Sequence, residues 1–324
     1  MKTHATRTTR VPAPFRPRAL WLAAGSPLLA AALTACGGGD SSTTTVGSTT
    51  STWGVQCGYS YSAYNSSASV QKTSTANWTC SSTTRTLSAN GIPDHAVGTF
   101  PNADNPNTIS AQSVSASYTL NPTVSAATTT LGGPRGVIGF ILNGVKIDAG
   151  TGGACNDSGS DCNLGDATVG QWSIEALGQT SFSFGTDSNN AHVQPGGAYH
   201  YHGMPEGFVS LQGKGTAMTL IGWAADGFPI YARYGYSDPD DATSAIKVVQ
   251  GSYALKSTPD TNRPSTSLYP MGTFSQDYEY SEGSGDLDEC NGRTGVTPEF
   301  PEGTYHYFAT DSYPFLQRCV KGTV

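Results

Sequence analysis

Val137-Ile138-Gly139-Phe140-Ile141-Leu142-Asn143-Gly144-Val145-Lys146-Ile147 is the stretch whose reading decides the fold class. Its apolar run has the length of a β-strand and falls short of a packed helix. Asn-Gly then supplies the two residues that tolerate positive φ in a two-residue hairpin turn, and the chain resumes apolar. Outward from this hairpin the same grammar recurs. Ser181-Phe182-Ser183-Phe184 alternates, and residues 218–223 read as a strand punctuated by Gly227 and Pro229 before Ile230-Tyr231. Residues 53–90 read as a small Ser/Thr-rich hairpin region, and 238–242 and 281–286 as surface loops. One short helix is expected near residues 171–177. The expected fold is all-β and mainly antiparallel, a sandwich or jelly-roll-like barrel with few short helices.

The N-terminus reads differently. Lys2, Arg7, Arg10, Arg16 and Arg18 precede an apolar run over residues 19–35, and no acidic residue occurs before Asp40. A basic segment followed by a short apolar one is the pattern of an export signal. Gly25-Ser26-Pro27 interrupts the run, which is shorter than the roughly 20 residues that span a bilayer. Leu33-Thr34-Ala35-Cys36 resembles a bacterial lipobox, which implies cleavage before Cys36 and lipid on that residue. By resemblance to Gram-negative lipoproteins, Gly37 after the cysteine implies the outer membrane. Residues 1–35 are thus expected to be a lipoprotein signal peptide. Residues 36–52, nearly all Gly, Ser and Thr, are expected to form a tether that cannot bury enough apolar surface to fold. The β-rich domain is expected over 53–324, with 53–89 as its N-terminal hairpin region.

Removing the five basic leader residues from the 17 Lys and Arg leaves 12 against 24 Asp and Glu. So acidic a chain lacks the basic footprint of nucleic-acid binding, and its expected partner is the membrane, through the lipid anchor. Seven cysteines less Cys36 leave six, an even number that implies disulfides in an oxidising compartment. A thiolate metal site is the competing reading, but no Cys-x-x-Cys spacing supports it. Six cysteines allow about 15 connectivities; pairing neighbours in sequence closes the shortest loops and nominates Cys57–Cys80, Cys155–Cys162 and Cys290–Cys319.

Five histidines follow the leader, and two of them lie in Tyr199-His200-Tyr201-His202-Gly203. On a strand, alternate residues share a face, so His200 and His202 point together and the tyrosines point away. Gly-x-Tyr-His-Tyr occurs twice, at Gly197–Tyr201 and Gly303–Tyr307, and the echo nominates His306 as a third imidazole. Three imidazoles with an open position suit copper or zinc equally. His192, eight residues before His200 with Pro195-Gly196-Gly197 between, is expected as a fourth ligand or as a partner behind the ligands. His95 reads as one half of a loop-stabilising Asp-His pair, and Asp286, Asp288 and Glu289 as a solvated loop.

Tyr199–Gly203 with Ala191-His192-Val193-Gln194-Pro195 before it resembles the hallmark of the YHYH-domain family of secreted bacterial proteins. Residues 221–231, 286–292, 297–308 and 90–95 fit the same family, and the likeness covers roughly 90–322. The family is named for its motif, so the resemblance implies membership and no activity. Gly-x-Ser-x-Gly, His-Glu-x-x-His, P-loop and dinucleotide signatures are missing from the sequence. Three readings therefore stand: a cell-envelope protein holding copper or zinc, an adhesion or ligand-binding sandwich with structural histidines, and a hydrolase using the same histidines.

Overall fold

The computed structural model describes residues 57–132 and 136–324. The expected signal peptide and tether, with Cys36, lie outside the described residues. The domain opens on a four-stranded antiparallel meander of β1 (Ser60–Asn65), β2 (Lys72–Cys80), β3 (Thr84–Ala89) and β4 (Val114–Thr119). Its side chains obey the period of two. Ser74, Ala76 and Trp78 of β2 and Arg85, Leu87 and Ala89 of β3 are buried, while Asn77, Thr79, Thr86 and Ser88 are exposed. The N-terminal region is therefore larger than the expected hairpin, since β2 is held on its other side by β3, and β3 by β4. Cys57–Cys80 ties the start of this sheet to the end of β2.

From there the chain runs through β5 (Thr129–Thr130), β6 (Gly139–Ile141), β7 (Lys146–Ile147), β8 (Ala154–Cys155), β9 (Cys162–Asn163), β10 (Trp172–Ser173), β11 (Ala191–Val193) and β12 (Tyr199–Tyr201). Helix α1 (Glu206–Gln212) follows, then β13 (Leu220–Ala224), β14 (Pro229–Tyr231), β15 (Tyr234–Tyr236), β16 (Ile246–Val248), β17 (Tyr253–Leu255), β18 (Tyr278–Tyr280), β19 (Gly292–Gly295), β20 (Thr304–Phe308) and β21 (Cys319–Val320). Eight of these strands build the central sheet in the order β11-β12-β7-β6-β13-β14-β20-β19. Its pairings are antiparallel except β12 with β7 and β14 with β20. The expected hairpin forms as β6–β7, and Gly144 at its turn has φ of 78°. A Cβ at Gly144 would also collide with Ala89 of the meander, so the turn is glycine for two reasons.

The meander lays its buried face against the central sheet, giving two β layers around one core. Trp78 donates from its indole nitrogen to the Leu142 carbonyl at 2.9 Å, and the Arg85 guanidinium stacks on the Trp223 ring. Trp78, Leu87, Ile141, Ile147, Tyr201, Trp223 and Tyr307 all belong to this single core. A smaller core of Cys155, Trp172, Ile174, Phe184 and Phe274 sits beside it, with Cys155–Cys162 at its edge. Cys290–Cys319 is the third bridge, so all three sequential pairings form.

Two local expectations are corrected. Residues 171–177 form no helix. Trp172–Ser173 is β10, paired with β8, and Ile174 bridges Phe274. Trp172 and Ile174 alternate into the small core, and that period of two overrides the helix-forming residues beyond them. The one α-helix among the described residues is α1, closed by Gly213 in the left-handed conformation. Ser181-Phe182-Ser183-Phe184 forms no strand either. Gln179 takes the place of a strand partner, accepting from the Ser181 and Phe182 amides at 2.7 and 2.9 Å.

Candidate metal centre

The centre is built on the β11–β12 hairpin. Gly196 and Gly197, at φ of 90° and 86°, reverse the chain between the two strands. The resulting antiparallel register sets His192 directly opposite His200. His202 follows β12 by one residue and keeps the ladder going, donating its amide to the Asn190 carbonyl at 2.8 Å. The three imidazoles thus project from one face of the hairpin, as the spacing of His200 and His202 predicts.

The other face is braced. Tyr199 donates its hydroxyl to Asp187 at 2.8 Å. Tyr201 is 2.6 Å from His95 Nε2 and accepts from Asn143 Nδ2 at 3.0 Å. His95 Nδ1 lies 2.9 Å from the Ala96 carbonyl and must donate to it, so His95 Nε2 accepts from Tyr201. His95 is thereby a hydrogen-bonded anchor beneath β12, whereas Asp94, its expected partner in the loop, accepts from Asn143 Nδ2 at 2.9 Å. Both tyrosines are buried, and their phenols stay protonated because burial raises their pKa values well above the usual range.

On the working face, His192 Nε2 lies 3.1 Å from His200 Nε2 and 3.0 Å from His202 Nε2. One nitrogen from each ring falls within 4.8 Å of the others. Two tautomers follow from what the far nitrogens touch. His192 Nδ1 is 2.7 Å from the Phe184 carbonyl, and His200 Nδ1 is 3.3 Å from the Ala198 carbonyl. A carbonyl only accepts, so each Nδ1 carries the proton and each neutral ring turns a bare Nε2 lone pair inward. Two lone pairs at 3.1 Å repel unless a cation lies between them. At the ~2.0–2.1 Å bond length of zinc to imidazole, tetrahedral ligands stand about 3.3 Å apart, close to the 3.1 and 3.0 Å that separate His192 from His200 and His202. Anchoring the second ring nitrogen on a backbone carbonyl is also how ligating histidines are oriented.

Burial keeps the site deprotonated. Desolvation, the leading cause, lowers the pKa of His192, and it lowers those of His200 and His202 well below the ordinary histidine range. The neighbouring histidines add to this at His200 and His202, and Lys146 at all three. His200 and His202 are 4% and 2% exposed, whereas His192 is half-buried. A cavity of about 610 Å³ opens over the three rings, with Asp148, Leu164, Phe184 and Gln194 among its walls. The three histidines therefore form a group able to hold a metal ion, with room for a further ligand on the cavity side.

His306 does not join them. It lies on β20, and β7, β6, β13 and β14 separate that strand from β12. Its Nδ1 donates to the Thr304 carbonyl at 3.0 Å, its ring packs on Tyr231 and Phe308, and its buried Nε2 has no hydrogen-bond partner. The expectation that His306 completes the site of His200 and His202 is thus corrected. The repeated motif places it on a matching strand elsewhere in the sheet, and His192 fills the third position. The acidic residues near Cys290 are taken up by side chains of the fold: Asp286 by Lys247, Asp288 by Tyr305 and Lys321, and Glu289 by Lys321. Sequence reasoning missed Asp187 and Asn143 as braces, and Phe184 as the carbonyl that orients His192. Asn143 was visible only as a turn residue, and a backbone carbonyl leaves no signal in a side-chain pattern.

The model of the family described as YHYH protein matches residues 115–322, more than half of the chain. No curated protein and no solved structure matches the chain.

Proposed function

The chain belongs to the YHYH protein family, and we propose that it works in the cell envelope as a lipid-anchored protein whose His192, His200 and His202 hold copper or zinc. The observation that carries the reading is the pair of inward-facing Nε2 atoms of His192 and His200, 3.1 Å apart, on rings whose Nδ1 protons are committed to carbonyls. A purely structural network would place a donor between two acceptors. Here His202 alone is free to supply one, and its Nδ1 is then left buried without a partner. A divalent or monovalent cation of nitrogen-loving character satisfies the three inward Nε2 lone pairs at once, while His202 Nδ1 lacks a hydrogen-bond partner in either case.

Export and anchoring rest on the basic and apolar leader, on Cys36 in its lipobox-like setting, and on three disulfides. The acidic mature chain and the open cavity fit an envelope protein that takes up or presents an ion at a membrane surface. The test is calorimetric titration of the chelator-treated, periplasmically expressed domain with copper and with zinc. One equivalent of either ion should bind, and a His192→Ala/His200→Ala/His202→Ala variant should bind none at that site. Should parent and variant bind alike, the histidines are structural and the cavity is that of a ligand-binding sandwich.

A further inference from the structure

The central sheet reads the same from either edge. From the left, an edge strand (β11) pairs antiparallel with β12, which runs parallel to the outer arm of the β6–β7 hairpin. From the right, β19 pairs antiparallel with β20, which runs parallel to the outer arm of the β13–β14 hairpin. The two hairpins meet antiparallel at the centre, with Phe140 opposite Trp223. Around that pair Gly139 faces Ala224 and Ile141 faces Gly222, the exchange that a two-fold axis through Phe140 and Trp223 requires.

Sequence agrees with this geometry. Ile138-Gly139-Phe140-Ile141-Leu142-Asn143-Gly144-Val145-Lys146-Ile147 aligns without a gap on Ile221-Gly222-Trp223-Ala224-Ala225-Asp226-Gly227-Phe228-Pro229-Ile230. Ile, Gly, an aromatic, Asn or Asp, Gly and Ile recur at the same places. The braces recur too. Asn143 bonds the Tyr201 hydroxyl at 3.0 Å, and Asp226 accepts from the Tyr307 hydroxyl at 2.6 Å. Tyr199 donates to Asp187 at 2.8 Å, and Tyr305 to Asp288 at 2.9 Å. Asn190 and Asn291, each three residues beyond its aspartate, both adopt the left-handed conformation, at φ of 55° and 60°. Unrelated hairpins have no reason to share side-chain braces and backbone exceptions in register.

We infer that the domain is one β unit present twice, and that Arg293, His306 and Phe308 of the second unit are the counterpart of the metal centre, closed to metal by two replacements. The metal part of this inference rests on the reading proposed above. Strand register makes the mapping. His192 opposite His200 corresponds to Arg293 opposite His306, and His202, two residues beyond His200, corresponds to Phe308. The conserved member of the set keeps its orientation. His306 Nδ1 bonds the carbonyl two residues before it, as His200 Nδ1 does, and its Nε2 is buried without a partner where the first unit gathers its ligands. Arg293 carries its guanidinium over the Phe308 ring and donates to the Tyr236 carbonyl at 2.7 Å. A fixed cation of the chain thus stands beside His306, and it repels any second cation.

Restoring the two lost imidazoles tests the inference, with copper and zinc alone as probes. Arg293→His/Phe308→His is compared with the parent, and also introduced into a His192→Ala/His200→Ala/His202→Ala background. The parent is expected to bind one equivalent, the double variant two, and the double variant in the triple-alanine background one. If the parent binds one and the double variant, melting cooperatively, still binds one, the counterpart site does not exist while the metal reading stands. If the parent binds none and the double variant one, the metal reading fails and the counterpart survives. None in both overturns both. Phe308 is fully buried, so Arg293→His alone serves if the double variant does not fold. By pairing two facing imidazoles as in β11–β12, it should bind copper at least tenfold more weakly than the parent centre, and no binding in the triple-alanine background overturns the inference.

Discussion

At the scale of single residues, the proposed centre depends on which ring nitrogen carries the proton. Because His200 offers a bare Nε2 from a buried strand, His200→Ala should reduce copper or zinc affinity by roughly 100-fold or more, beyond what losing a residue behind a ligand costs. His306→Ala should leave affinity within about threefold of the parent, since no shared contact couples the two positions. Parallel titrations decide this, and equal losses for both variants would sink the assignment. His306 has its own signature in stability. Burial, the largest cause, lowers its pKa from the ordinary 6.5 to about 4 in the folded chain. The unfolded chain therefore takes up a proton first. The stabilising contribution is complete above pH 6.5, is lost progressively as pH falls toward 4, and is gone below that. At about 1.4 kcal/mol per pKa unit the loss is on the order of 3 kcal/mol. Chelator-treated His306→Gln should accordingly lose less stability than the parent between pH 7 and pH 4 in denaturant titrations. Parallel pH dependences would show that His306 is not held neutral by the fold.

At the scale of elements, hairpins carry the site and disulfides hold the elements that carry the hairpins. Cys290–Cys319 spans 29 residues and encloses β19 and β20, whereas Cys155–Cys162 spans only 7. Loop-closure entropy grows with the logarithm of loop length, so the longer bridge should contribute about 3–4 kcal/mol and the shorter about 2–3. Cys290→Ala/Cys319→Ala should therefore lower the denaturation midpoint more than Cys155→Ala/Cys162→Ala does. The reverse order would mean that the small core around Trp172 and Phe274 depends on its bridge for more than entropy. The β6–β7 hairpin couples the layers, since Asn143 braces Tyr201 below the site while Gly144 abuts the meander.

At the scale of the whole molecule, the proposed anchor and the domain divide the work. The acidic β domain holds the histidines, and Cys36 is proposed to hold the domain at the membrane. Cys36→Ala should move the protein from the membrane fraction to the soluble fraction, or block its maturation, without changing metal stoichiometry in the purified domain. Identical fractionation of parent and variant as soluble protein would remove lipidation from the account. The two-fold arrangement of the central sheet bears on the same scale. It explains why one sequence motif appears twice, and Arg293 and Phe308 at the positions matching His192 and His202 leave only one copy with three imidazoles.

The sequence by itself determined the class of fold, because Asn143-Gly144 between apolar runs permits little but a hairpin and because alternation fixes which side chains share a face. Through an even count it implied disulfides, and through short loops and the spacing of two it nominated the pairings and His200 with His202; which cysteines join was decided by the fold. The family was legible in the same motifs. Sequence alone did not determine which third imidazole meets them. His192 and His306 both belong to the pattern, and only the register of β11 against β12, with four strands between β12 and β20, separates a ligand from its counterpart. Nor did it determine Trp172 as a strand residue and Ile174 as its bridged neighbour, since their alternation shows only once Phe274 closes over them. Proton positions were likewise a tertiary matter. A carbonyl from Phe184, eight residues from His192, decides which nitrogen of that ring faces the site, and backbone acceptors carry no mark in a sequence.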